Sequence, residues 1–198
     1  MNRDPIRLIY RYPYRFYLLL IFLGLLAYLA GKSLMVDLQA RDGRGRTALY
    51  LAAEQGDLDA VKRLINKGAV IDARDNCSWT PMMRAAQNGH LPVVRELLAA
   101  GAELNAQDKE GYNALILSVI TGQQLVVEYL LEQGIKRDVQ DDKLGWTALM
   151  WAAKEGRVEL VDLLLDNGAD KTIRTVSGKT AYDLAIENKR TELAERLK

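Results

Sequence analysis

The chain has 198 residues, room for one domain and an appendage, and carries 27 Lys+Arg against 26 Asp+Glu for a net charge of +1. The balance is uneven: residues 1–41 hold net +4, while the rest, with 21 basic and 24 acidic residues, holds net −3 and lacks the basic footprint of a nucleic-acid-binding domain. A single cysteine, Cys77, excludes an internal disulfide framework and is compatible with either an oxidising or a reducing space.

Residues 1–15 form a basic tail in which Arg3, Arg7, Arg11 and Arg15 recur four apart, interleaved with Tyr10, Tyr12 and Tyr14. Residues 16–31 then carry no charge and are mostly Leu, Ile, Phe and Ala. As a helix that run spans ~24 Å, short of the ~30 Å bilayer core. Leu34, Met35 and Val36 extend it if Lys32 snorkels to the interface. The segment 16–36 is therefore read as one transmembrane signal anchor, with Arg3, Arg7, Arg11, Arg15, Tyr14, Tyr17 and Lys32 at the membrane interface.

A cleaved signal peptide is the competing reading. It is disfavoured because the candidate cut after Ala27 has Leu25, and that after Gly31 has Leu29, where a small residue is wanted. No cysteine follows the run at the place a lipoprotein anchor requires. A buried core helix is a poor fit, since the rest of the chain neither needs nor could cover a helix apolar all round. The tail has net +3, and the residues after the run are basic but partly offset by Asp37 and Asp42. The positive-inside rule thus leans toward a cytoplasmic N-terminus with the C-terminal domain outside, in a bacterium the periplasm. Residues 37–41 are read as a short linker, holding that domain close to the membrane and covering its first end.

From Asp42 onward the chain repeats. A threonine position recurs as Thr47, Thr80, Asn113, Thr147 and Thr180, at spacings of 33, 33, 34 and 33. Glycines recur as Gly56, Gly89, Gly122 and Gly156, and again as Gly68, Gly101, Gly134 and Gly168. The fourth copy is the clearest. Thr147 is placed to cap a helix that ends at Gly156, with Ala152 and Ala153 allowing close approach of a neighbour. A second helix follows, with Val158, Val161, Leu164 and Leu165 on one face. Such a hairpin cannot bury its apolar face alone and needs neighbours of its own kind.

The period near 33, the Thr-Ala/Pro-Leu starts, the Ala-Ala pairs and the Gly-Ala-Asp-like corners resemble the ankyrin-repeat family over residues 42–198. The resemblance implies an all-α solenoid of helix-turn-helix repeats with hairpin fingers, preceded here by the transmembrane helix. The repeats read as 42–74, 75–107, 108–141 and 142–174, with a C-terminal cap at 175–198 whose last helix turns polar through Glu192, Glu195, Arg196 and Lys198. The extra residue before the fourth repeat is assigned to Gln140–Lys143.

Departures from the family pattern carry expectations of their own. The family's common histidine after Pro/Ala is replaced by Tyr50, Met83, Ile116, Met150 and Asp183, so cohesion between repeats is expected to rest on packing. Repeat three has Asn113 for Thr, Ser118-Val119 for Ala-Ala and Ile135-Lys136 for Ala-Asp, which either loosens its stacking or marks a functional site. His90, the only histidine, follows Gly89 and is read as structural.

No catalytic cast is present. Cys77 and His90 fall on different elements, and no phosphate loop, zinc spacing or serine elbow appears. Asp141-Asp142 reads as a solvated turn. No enzyme activity, cofactor, metal or small-molecule substrate is expected. The resemblance instead implies binding on a concave face built from finger tips and first helices. Repeat phase places Trp79, Arg84, Tyr112, Leu117, Ile120, Trp146 and Trp151 there, including all three tryptophans. Trp, Tyr and Arg are the residues enriched at interface hot spots. Packing of Trp79 and Trp146 on the next finger stays open beside partner contact.

The expectation is a membrane-tethered module binding a protein partner through that face, as scaffold or helper of an envelope enzyme. An immunity-type inhibitor of an incoming toxin and a cytoplasm-facing adaptor remain the alternatives.

Overall fold

The computed structural model describes residues 37–198, together with Ile21, Phe22 and Leu25, which are helical and exposed. The chain divides into two units, 1–37 and 38–198. Nearly all of the apolar segment 16–36, and every one of Arg3, Arg7, Arg11, Arg15, Tyr14, Tyr17 and Lys32, lies outside the described residues. Among those that are described, no helix is long and apolar enough to cross a membrane.

The second unit is all-helical, with no strand among its residues. Five helix pairs follow one another: α1 Ala48–Gln55 with α2 Leu58–Asn66, α3 Pro81–Gln87 with α4 Leu91–Ala99, α5 Ala114–Thr121 with α6 Gln124–Glu132, α7 Ala148–Glu155 with α8 Val158–Asp166, and α9 Ala181–Glu187 with α10 Thr191–Leu197. The odd helices stack in one row and the even helices in a second, more loosely spaced row behind it. Ala52-Ala53, Ala85-Ala86 and Ala152-Ala153 are nearly or fully buried between members of the first row, where small side chains let backbones approach.

The local starts follow from side-chain chemistry. Each odd helix opens on a residue whose side-chain oxygen accepts the N–H of the third helical residue, in the first turn: Thr47 from Tyr50, Thr80 from Met83, Asn113 from Ile116, Thr147 from Met150 and Thr180 from Asp183, at 3.0–3.4 Å. In α8 the buried stripe is Leu160, Val161 and Leu164; Leu160 joins it, while Val158 and Leu165 are only half-buried at its margins.

Cohesion between repeats is not packing alone. Neighbouring fingers are joined by backbone bonds: Asn76 N–H to Arg44 O, Lys109 to Cys77, Asp142 to Glu110 and Val176 to Leu144, at 2.9–3.3 Å. Long polar side chains reinforce them. Arg74 donates to Ser78 O in its own finger and to Gln107 O in the next, and Gln140 bridges Gly145 O and Arg174 O in the same way. Arg41 does this one repeat earlier, binding Gly45 O and Arg74 O, so it belongs to the first finger rather than to a linker.

The finger turns also locate the extra residue of the fourth repeat. Asp42, Asp75 and Asp108 close their turns onto the residue four further on, whereas Asp141 closes onto Trp146, five further on. The equivalent of Asp108 is thus Asp141, one position ahead of the boundary drawn from spacing, and the turn that follows it is longer. Asp141 is correspondingly not solvated. It is 3% exposed and accepts N–H bonds from Lys143, Leu144 and Trp146, leaving Asp142 exposed.

Repeat three is packed as closely as the others. Ser118 and Val119 are fully buried, with the Ser118 hydroxyl satisfied by Leu115 O at 2.9 Å. Asn113, also fully buried, uses its extra donor on Lys136 O at 3.0 Å.

Candidate functional site

The seven side chains assigned to the concave face fall into two clusters. Trp79, Tyr112, Leu117 and Ile120 line one cleft of about 400 Å³ between the second and third fingers, together with Cys77, Gln87, Asp108, Lys109 and Glu110. Trp79 and Tyr112 each precede a helix cap, which sets them on the finger flank. Leu117 and Ile120 come from α5. Leu117, only 3% exposed, belongs to the core and contributes little surface, while Ile120 is half-buried beside it.

Trp146 and Trp151 form the second cluster. Their ring centroids are 4.7 Å apart, and Tyr112 meets Trp151 edge-on at 6.3 Å. Tyr112 therefore belongs to both clusters. Lys154 lies over Trp151 at 5.0 Å and over Trp146 at 5.7 Å, capping the pair with a cation. The indole N–H of Trp151 is buried without an acceptor. Trp146 packs on Trp151 of its own repeat, and Trp79 lines the cleft.

Arg84 is not free to seek a partner. Its guanidinium stacks on Trp79 at 4.4 Å, donates to Gln87 Oε1 at 2.7 Å and to Tyr50 Oη at 3.1 Å, and pairs with Glu54 at 3.4 Å. It stiffens one wall of the cleft. Tyr50 in turn donates to Asp75 Oδ2 at 2.9 Å, and burial pushes its phenol up to about 12. Sequence phase alone missed Tyr50, Asp108 and Glu110. The aspartate that opens the second, third and fourth fingers was the available signal, since it sits four or five residues before the aromatic.

The electrostatics of the cleft are acidic. Asp108 is pushed up by burial, against the lowering effect of the N–H groups of Glu110 and Tyr112. The Tyr112 phenol is raised by burial and then by the carboxylates of Asp141, Glu110 and Asp108. Among the described residues no group of three or more His, Cys, Asp or Glu side chains could hold a metal ion. His90 serves the scaffold: its Nε2 lies 3.1 Å from Glu54 O in the preceding repeat.

A stack of capped helix pairs with bonded fingers and an aromatic inner face defines a repeat scaffold for binding other proteins. The family model for ankyrin repeats matches residues 21–108, 101–175 and 138–198, and the chain belongs to that family. Ankyrin repeats are protein–protein interaction modules, generally without catalysis of their own.

The chain is similar to ankyrin repeat and SAM domain-containing protein 6 of Rattus norvegicus, 51% identical over 47 residues, which is 24% of this chain and 5% of that protein. The Mus musculus counterpart is 49% identical over 49 residues, 25% of this chain and 6% of its own. A 42-residue stretch, 21% of the chain, is 50% identical to part of the human NAD-capped RNA hydrolase NUDT12, covering 9% of that protein. The chain spans less than a tenth of the length of each of these relatives.

Proposed function

We propose that this protein is a membrane-tethered ankyrin-repeat module that holds a protein partner in its concave groove, on the outer side of a bacterial cytoplasmic membrane, as scaffold or helper. The observation that carries the binding reading is the aromatic cleft between the second and third fingers, bounded by Trp79, Tyr112 and Ile120. A repeat scaffold has no need of an open, aromatic-lined space of this size; pockets of a few hundred Å³ with apolar walls and few polar groups are the usual form of a binding site. The tether rests on the uncharged run 16–31 and the arginine-rich tail before it.

The test places a photocrosslinking amino acid at Gln87, on the cleft, in the full chain in native membranes. The control position is Leu125 on α6, 66% exposed and not among the residues lining the cleft. A discrete adduct from Gln87, absent from Leu125 and lost when Ile120→Arg fills the cleft, supports the reading. Equal labelling from both positions, or an adduct indifferent to Ile120→Arg in a variant that melts normally, overturns it.

A further inference from the structure

The fingers solve one electrostatic problem in two ways. Each of the first four opens on an aspartate whose oxygen receives backbone N–H groups of its own turn: Asp42, Asp75, Asp108 and Asp141. In the first finger the residue closing the turn is Arg46, and its guanidinium pairs with Asp42 at 2.8 Å. That carboxyl is held down to about 2 by the N–H of Arg46 and then by its side chain. In the next three fingers the same position is Trp79, Tyr112 and Trp146. An aromatic ring brings no positive charge. Among the described residues, none of Asp75, Asp108 and Asp141 has a cation within ion-pairing distance.

At the cleft this substitution has its largest effect. Asp108 and Glu110 stand between the Trp79 and Tyr112 walls, and the Glu110 carboxylate is exposed. The one cationic side chain of the lining, Lys109, is turned onto the neighbouring finger, where its Nζ donates to Asn76 O at 2.7 Å. Asp108 is half-buried without an ion pair, its charge answered by the backbone N–H groups of Glu110 and Tyr112 and by a side-chain hydrogen bond from Trp79. The Trp79 ring already carries the Arg84 guanidinium at 4.4 Å, so what draws an organic cation is the Tyr112 ring, the exposed Glu110 carboxylate and an Asp108 carboxylate without an ion pair, ring quadrupole and charge acting together.

We infer that the cleft between the second and third fingers receives a lysine or arginine side chain of the protein partner, and that this side chain supplies the charge that Arg46 supplies within the first finger. The inference rests on the groove reading above and names the chemistry of its central contact. It makes that contact sensitive to ionic strength and to isosteric neutralisation of Asp108 or Glu110, neither of which an apolar contact would feel.

The chain's three tryptophans, Trp79, Trp146 and Trp151, make the test site-resolved. The full chain in detergent is labelled with 5-fluorotryptophan, and its fluorine resonances are assigned by single Trp→Phe variants. The probe is a glycine-serine peptide with one central arginine; companion peptides carry lysine or the uncharged isostere citrulline. The expected result is a saturable movement of the Trp79 resonance with arginine or lysine at millimolar concentration, at least tenfold weaker with citrulline.

Asp108→Asn, which retains an acceptor for the turn, and the exposed Glu110→Gln should each weaken the arginine peptide several-fold without shifting the melt. Three results overturn the inference: no movement of Trp79 with the arginine probe, equal response to citrulline, or indifference to both isosteric variants. None of these touches the Gln87 crosslink. A groove that crosslinks its partner but ignores charge would leave the binding reading standing and remove only the cation.

Discussion

The imidazole of His90 closes over Gly56: a Cβ built on Gly56 would lie 2.6 Å from His90 Nδ1, while Nε2 meets the Glu54 carbonyl at 3.1 Å. The same seat recurs down the stack, with Gln123 over Gly89, Arg157 over Gly122 and Arg190 over Gly156. These glycines are therefore inter-repeat joints as well as helix ends.

Gly56→Ala should destabilise the array by about 2–3 kcal/mol, combining the left-handed backbone at φ +74° with the displaced imidazole. Gly68→Ala has the same backbone demand, φ +85°, but nothing within 4 Å of the new methyl, and should cost only about 1 kcal/mol. Denaturant melts of the two variants check this. Equal losses would mean that His90 contributes nothing to the joint.

Tyr50 makes the array sensitive to alkali. Burial holds its phenol protonated, with the pKa raised from about 10 to about 12. A raised folded-state value contributes stability that is complete below pH 10 and is lost as pH rises through 12. Tyr50→Phe removes the bonds to Asp75 and Arg84 and should cost about 1–2 kcal/mol at neutral pH. That deficit should shrink steadily between pH 10 and 12 as the wild type loses its own advantage. A deficit constant across this window would rule out the coupled ionisation.

Repeat three shows how far sequence reasoning reached. The five-fold threonine period fixed the caps, and every cap position, Asn113 included, accepts the expected N–H. The departures of that repeat were legible as departures but not as solutions. Asn113 and Lys136 are 23 residues apart, and only the fold brings the amide to the carbonyl. For the same reason Trp79 and Tyr112 could be placed on one face by phase, while their shared cleft depends on the spacing of two fingers. The unpaired finger aspartates were visible as residues. Their lack of a cation is a three-dimensional fact, since it needs Lys109 to be turned onto Asn76.

Asn113→Thr should thus be costly although it restores the family residue. The hydroxyl keeps the cap, but Lys136 O loses its donor, at about 1 kcal/mol. Asn113→Ala loses both and should cost about 2 kcal/mol. A melt showing Asn113→Thr as stable as wild type would assign Lys136 O another donor.

Trp151 separates ring packing from polar recognition. Its indole N–H is buried without an acceptor, a cost of about 1–3 kcal/mol that the ring's contacts with Trp146 and Tyr112 must exceed. Trp151→Phe keeps an aromatic ring and removes the orphan donor, so its stability should lie within about 1 kcal/mol of wild type. Trp151→Ala opens a cavity beside Trp146 and should cost about 3 kcal/mol. If the phenylalanine variant melts as early as the alanine variant, the N–H has a partner.

The proposed topology rests on residues 1–36 and on the basic clusters that flank the apolar run on both sides. The tail's four arginines favour retention of the N-terminus in the cytoplasm, but Lys32, Arg41, Arg44 and Arg46 follow the apolar run closely and oppose it, offset only by Asp37 and Asp42. Large domains cross membranes largely regardless of charge, so the repeats do not forbid export. A tag after Lys198 should be digested by protease in cells whose outer envelope is opened but whose cytoplasmic membrane is intact. The membrane-bound protein should still begin at Met1 or Asn2. Protection lost only on lysis would put the groove in the cytosol and end the periplasmic reading. A new N-terminus after residue 27 or 31 would replace the tether with a cleaved leader. Replacing Arg3, Arg7, Arg11 and Arg15 by glutamine should move the tag toward protection, because the opposing cluster then dominates. Unchanged digestion of that variant would show that the arginines do not set the orientation.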